Sequence, residues 1–153
     1  MTVQDGPLTL LMAEVRRRYD TCFACGPANH GGLHLDGFAV EGDEVVAPFH
    51  PRQEHNGFEG VLHGGIIATA LDEICAWAAM AFESTFVVTG RFEVRYARRA
   101  PADGSYELRG RVDQRRASRL RLSGRLLRDD EAVASASGLY LATASAFVGD
   151  EHI

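Results

Sequence analysis

The stretch HNGFEGVLHGGIIATALDE, His55–Glu73, decides how the chain folds. Gly64 and Gly65 open a run to Phe82 that contains no Pro and favours a helix of about five turns. The run is apolar on nearly every side, which marks a buried helix. Two glycines at its start leave backbone N–H groups bare, and the helix dipole adds positive potential there. A carbonyl oxygen acquiring negative charge would be stabilised at that spot. The same glycines could instead only let the helix end approach another backbone closely. Asp72 has Ala68, Thr69, Cys75 and Ala76 as helical neighbours and no basic residue within one turn. Such a carboxylate is costly to bury unless a group outside the helix pairs with it or uses it, which points to a functional role for Asp72 or Glu73. The alternative is a narrow solvated stripe that carries one or both.

Beyond the helix the period changes to two. Phe86, Val88, Phe92, Val94 and Tyr96 share one face of a strand, and Thr89, Arg91, Glu93 and Arg95 share the other. Tyr106, Leu108 and Val112 define a second strand, Leu120, Leu122 and Leu126 a third, and residues 132–143 a fourth. Turns are expected at 101–104, 114–117 and 128–131. Before the helix, Leu8–Tyr19 reads as a short amphipathic helix, and Phe38–Phe49 as strand broken by a hairpin turn at Glu41-Gly42-Asp43. These elements predict an α+β fold in which an antiparallel sheet curls around one long central helix, preceded by a short N-terminal helix.

A length of 153 residues fits a single domain over 1–153, with a helical arm at 1–21 and a Cys/Gly-rich connection at 22–35. The net charge of −5 argues against a nucleic-acid partner, yet every basic residue is Arg, and twelve of them lie between Arg91 and Arg128 against four acids. That segment could hold a polyanion or simply form solvated strand faces. Arg115 and Arg116, in an expected turn, and then Arg119 are the candidates for binding phosphate, because guanidinium donates two parallel hydrogen bonds. The N-terminus has no basic region of a signal peptide, and the Ala-rich central run is interrupted by Asp72-Glu73, so no membrane span is expected. Three Cys cannot all pair within one chain, which suggests a reducing cytoplasm. Cys22-Phe-Ala-Cys25 with His30 opens like a zinc knuckle, but the closing spacing and a fourth ligand do not match. No metal and no cofactor are expected, and the Cys pair reads as packing.

His63-Gly-Gly with Asp72 nine positions after the His, the strand Thr89-Gly-Arg-Phe-Glu-Val-Arg-Tyr96 and the turn at Ala100-Pro101 closely resemble the hotdog-fold thioesterases of the phenylacetate-pathway type. The resemblance spans about residues 22–143. It implies the hotdog fold, homodimers or homotetramers with active sites shared across the dimer interface, and acyl-CoA substrates. It also implies that Gly64 donates its N–H to the thioester carbonyl and that Asp72 activates water or attacks directly. Thr89 would orient water, Asn56 would supply an amide beside the turn, and His63 would be mainly structural. Gly65, Val88 and Gly90 would border the substrate. A similar Cys-x-x-Cys-Gly run in this branch has Pro at the place of His30, which argues against a metal.

Two other readings compete. A hydratase or dehydratase of the same fold resembles either Asp-x4-His or a His about ten residues before the helix opening; here His55 lies only five before Gly60. A non-catalytic acyl-CoA binder would not require Asp72. Phe58, Trp77, Met80 and Phe82 could line an acyl pocket or belong to the core.

Overall fold

The computed structural model describes residues 7–143. Helix α1 (Pro7–Arg18) precedes strands β1 (Ala39–Glu41) and β2 (Glu44–Phe49). Helix α2 (Gly64–Glu83) follows, and then the long strands β3 (Val87–Tyr96), β4 (Tyr106–Arg116), β5 (Arg119–Arg128) and β6 (Glu131–Ala142). The strands form one antiparallel sheet in the order β1-β2-β4-β5-β6-β3, with α2 packed against β2 to β6. This is the hotdog arrangement expected from the resemblance.

The twenty residues of α2 are long and apolar enough to cross a membrane, yet the sheet encloses them. Ile67, Ala70, Leu71, Ile74, Cys75, Trp77, Ala78, Ala79 and Met80 are all buried, and Trp77 stacks on Phe38 at 4.3 Å. Trp77 and Met80 are therefore core, whereas Phe58 is 86% exposed. Two glycines let the helix sit deep. Gly110 of β4 faces Gly124 of β5 in register. A Cβ at Gly110 would lie 2.5 Å from the Ile74 carbonyl oxygen, and one at Gly124 3.1 Å from Ile74 Cγ2.

Register shifts break strict alternation at three places, one of them at Val133 of β6 and the other two near the residues singled out above. A register shift between Thr89 and Arg91 leaves Gly90 as an extra residue in β3. The shift reverses the parity, so Val87 packs inward and Val88 is exposed, while Phe92 and Val94 still face the core. Thr89 therefore does not share the outer face with Glu93 and Arg95: the bulge turns it toward α2, where its hydroxyl meets Asp72. A second shift falls between Val112 and Gln114 of β4. The β4–β5 turn then falls at Ala117-Ser118, with Ala117 at φ 54°. Arg115 and Arg116 consequently belong to the strand and not to the loop expected for them.

Gly110→Ala pushes α2 off the sheet and should destabilise the protein by about 1–3 kcal/mol, the usual cost of overpacking. Gly31, with nothing nearer than 3.8 Å to an added Cβ, provides the control. Urea unfolding should show a lowered midpoint for Gly110→Ala and almost none for Gly31→Ala.

Candidate active site

The N-terminus of α2 is built by His63. Its backbone is extended (φ −64°, ψ 134°), and its Nδ1 accepts the Gly65 N–H at 2.8 Å. The His63 carbonyl receives the N–H groups of Ile66 and Ile67. Among the described residues no acceptor meets the Gly64 N–H, so the cap leaves one donor bare at the positive end of the helix. Tyr96 of β3 fixes the same turn by donating its hydroxyl to the Gly64 carbonyl at 2.7 Å. Asn56 pairs with Leu62 across this loop, and its side-chain oxygen is buried without a partner. His55 is committed elsewhere: Nδ1 accepts the Arg52 N–H at 3.0 Å, and Nε2 lies 3.3 Å from the Gly32 carbonyl. Burial lowers its pKa, and a neutral ring with both nitrogens occupied has no capacity left to serve as a base.

Two turns along α2 lies Asp72, partly buried. Its Oδ1 accepts hydrogen bonds from the Thr89 hydroxyl and the Tyr140 hydroxyl, each at 2.8 Å. Both bonds end on one oxygen, which fixes the carboxylate and leaves Oδ2 for another partner. Tyr140 is fully buried, and burial, followed by the nearby Cys75 and Asp72, raises its pKa, so it stays a donor. Burial pushes Cys75 up to about 12 and keeps it a neutral thiol. Thr89 and Tyr140 are register partners on β3 and β6. Gly138, two residues before Tyr140, leaves room for the ring, since a Cβ there would lie 2.7 Å from Tyr140 Cε2.

The sequence pattern identifies Gly64, Asp72, Thr89 and Asn56 but misses Tyr140. Its signal was available: a Tyr on the inward face of a strand must find a partner for its hydroxyl. Glu73 does not lie on a solvated stripe. It is half-buried, accepts the Trp77 Nε1–H at 2.9 Å, and is raised to about 7 by desolvation and the neighbouring Cys22.

Half of the twelve arginines in the arginine-rich segment are paired. Arg98, Arg109, Arg111, Arg115, Arg125 and Arg128 each bridge to a carboxylate. Arg115 is tied to the end of α2, 3.0 Å from the Glu83 carboxylate. Arg116 and Arg119 are opposite one another, Arg119 is opposite Leu141, and Leu141 is opposite Val88. These four exposed residues form one row on the outer face of the sheet, next to the row that carries Tyr140 and Thr89.

The family model of the thioesterase superfamily matches residues 59–135, and the chain belongs to that superfamily. No curated protein matches the sequence significantly. Among solved structures, a phenylacetic acid degradation-related protein from Ralstonia eutropha JMP134 is 22% identical, with 82% of this chain and 97% of that one covered at a TM-score of 0.67. A Streptococcus mutans UA159 protein solved bound to acetyl-CoA is 18% identical (71% and 90% covered, TM-score 0.64). A hypothetical thioesterase protein from Streptococcus pneumoniae TIGR4, solved with coenzyme A, is 17% identical (72% and 96% covered, TM-score 0.63). At these identities the likeness shows the fold.

Thr89→Ala and Tyr140→Phe each remove one of the two donors that hold Asp72. Each should lower thioester turnover by at least ~10-fold with little change in KM, as expected for a hydrogen bond to a charged group. Steady-state kinetics check this, and an unchanged kcat in both variants would remove the pair from the site.

Proposed function

We propose that this protein hydrolyses acyl-CoA thioesters to a free acid and coenzyme A, acting in a reducing cytoplasm as a homodimer or a multiple of it. The observation that carries the reading is the pairing of two features on one helix: a bare N–H at Gly64 and a carboxylate at Asp72 fixed by two hydroxyls. The Gly64 N–H polarises the thioester carbonyl and stabilises the oxyanion that forms. Asp72 acts as general base on a water, or attacks the carbonyl carbon itself through an anhydride that water then opens. In either route a new C–O bond forms, the C–S bond breaks, and the proton taken from water ends on the departing thiolate. The unpartnered Asn56 oxygen is suited to accept a hydrogen bond from that water. Gly65, Val88 and Gly90 border the substrate, and Arg116 and Arg119 receive the phosphates of coenzyme A. Arg115 joins them only by releasing Glu83. The neighbouring structures solved with acetyl-CoA and coenzyme A support this ligand class, and the Ralstonia neighbour supports the phenylacetate-type branch.

The spacing along α2 supports a site built from two chains. Gly64 and Asp72 are eight residues apart on α2, so their backbones are separated by ~12 Å along the axis. The two groups must each come within ~3 Å of one carbonyl or its water, and Asp is too short to close that gap. Gly64 of one chain therefore works with Asp72 of another. Strand β3 is at the edge of the sheet with ten residues unpaired on one side, which suits it to meet a second β3 across a twofold axis.

Asp72→Asn should fold normally and lose at least ~100-fold in kcat, measured as thiol release from a panel of acyl-CoAs. Near-wild-type turnover in Asp72→Asn together with a dead Glu73→Gln would assign the role to the wrong carboxylate. Gly64→Pro removes only the donor, because Pro is tolerated at the first helical position and His63 already has the extended backbone that Pro demands. Dissociating and mixing equal amounts of Gly64→Pro and Asp72→Asn should restore about a quarter of wild-type activity, since half the dimers are mixed and each holds one intact site. No recovery despite verified exchange of chains would contradict the shared site.

A further inference from the structure

The tight connection after α1 brings two thiols against a half-buried carboxylate of α2. Sγ of Cys22, Sγ of Cys25 and a carboxylate oxygen of Glu73 all lie within 4.8 Å of one another. Cys25 is buried, and Cys22 and Glu73 are half-buried. All three are acids. Among the described residues Glu73 forms no salt bridge, and its side-chain partner is the neutral Trp77 indole. A carboxylate even partly withdrawn from water is favoured by a matching opposite charge.

The backbone holds the two thiols in a tight turn. The Gly26 N–H donates to the Cys22 carbonyl at 2.8 Å, which closes the Cys22–Cys25 segment into a turn. Gly26 closes the turn so tightly that a Cβ there would lie 2.3 Å from the Cys22 nitrogen. The loop is fastened by Leu33 N–H to the Phe23 carbonyl at 2.8 Å and by Leu35 N–H to the Ala24 carbonyl at 2.9 Å. On the other side, the Trp77 Nε1–H holds Glu73 Oε1, as an outer group holds a ligating carboxylate.

We infer that Cys22, Cys25 and Glu73 form a binding site for one zinc ion, which clasps the N-terminal connection to α2 one residue from Asp72. Two sulfurs and one carboxylate oxygen are a donor set for zinc and not for magnesium or calcium, which take oxygen ligands. Binding displaces the thiol protons to solvent, and the ion supplies the positive charge that the three acids lack. A water completes the four-coordinate shell from the side of half-buried Cys22. On this reading the third ligand lies 48 residues beyond Cys25, on another element, where no local spacing rule finds it.

The test is a titration of the full chain, stripped of metal under reducing conditions, with Co²⁺ alone and then with Zn²⁺ in competition. The expected result is saturation at one ion per chain, with thiolate-to-cobalt charge-transfer absorption and the visible bands of tetrahedral cobalt, all displaced by zinc. Cys22→Ser and Cys25→Ser should abolish the charge-transfer absorption, and Glu73→Gln should weaken binding at least ~10-fold while keeping the shape of the side chain. Circular dichroism reports whether each variant is folded. Should the Cys variants not fold, the wild-type spectrum and Glu73→Gln decide alone. Absent charge-transfer absorption in the reduced wild type, or binding by folded Glu73→Gln as tight as wild type, overturns the site.

Discussion

The structure depends on how deeply one apolar helix is seated in its sheet. Gly110 and Gly124 face each other across β4 and β5, and the Ile74 turn of α2 occupies the space their missing side chains leave. That depth brings the middle of the helix within reach of side chains on β3 and β6. Asp72 can then be held by Thr89 and Tyr140, and Cys75 can pack against β5 and β6. A shallower helix would leave Asp72 to solvent and its two hydroxyl partners out of reach.

The same helix organises chemistry at separate points along its length. Its first turn offers a free N–H because His63 caps the next one and Tyr96 restrains the turn. Its middle carries Asp72 toward β3 and β6, while the adjacent Glu73, about 100° further round, is turned toward the N-terminal connection. Two carboxylates that are neighbours in sequence therefore have different surroundings: hydroxyl donors for one, thiols and an indole for the other. Arg115 adds a clamp on the far end through Glu83.

Much of this was legible in the sequence wherever the cause was local. The apolar run after Gly64-Gly65, the period-two strands and the lone carboxylates gave the central helix, the wrapped antiparallel sheet and the candidate residues Gly64 and Asp72. What escaped depends on contacts distant in sequence or on breaks in periodicity. Gly90 inserts a residue into β3 and reverses the parity that had placed Thr89 with the charged residues. Tyr140 reaches Asp72 from 68 residues away. Part of the arginine excess is matched by acids outside the segment, such as Glu44, which holds both Arg109 and Arg125.

The claim at the centre of this account is that one thioester is held between the helix start of one chain and the helix middle of another. A crystal structure of the Asp72→Asn protein with a bound acyl-CoA measures this directly. The account predicts the thioester oxygen within hydrogen-bonding distance, ~3 Å, of the Gly64 nitrogen of one chain, with residue 72 of the partner chain beside the carbonyl carbon. A thioester bound away from Gly64, or met by both residues of a single chain, would contradict it.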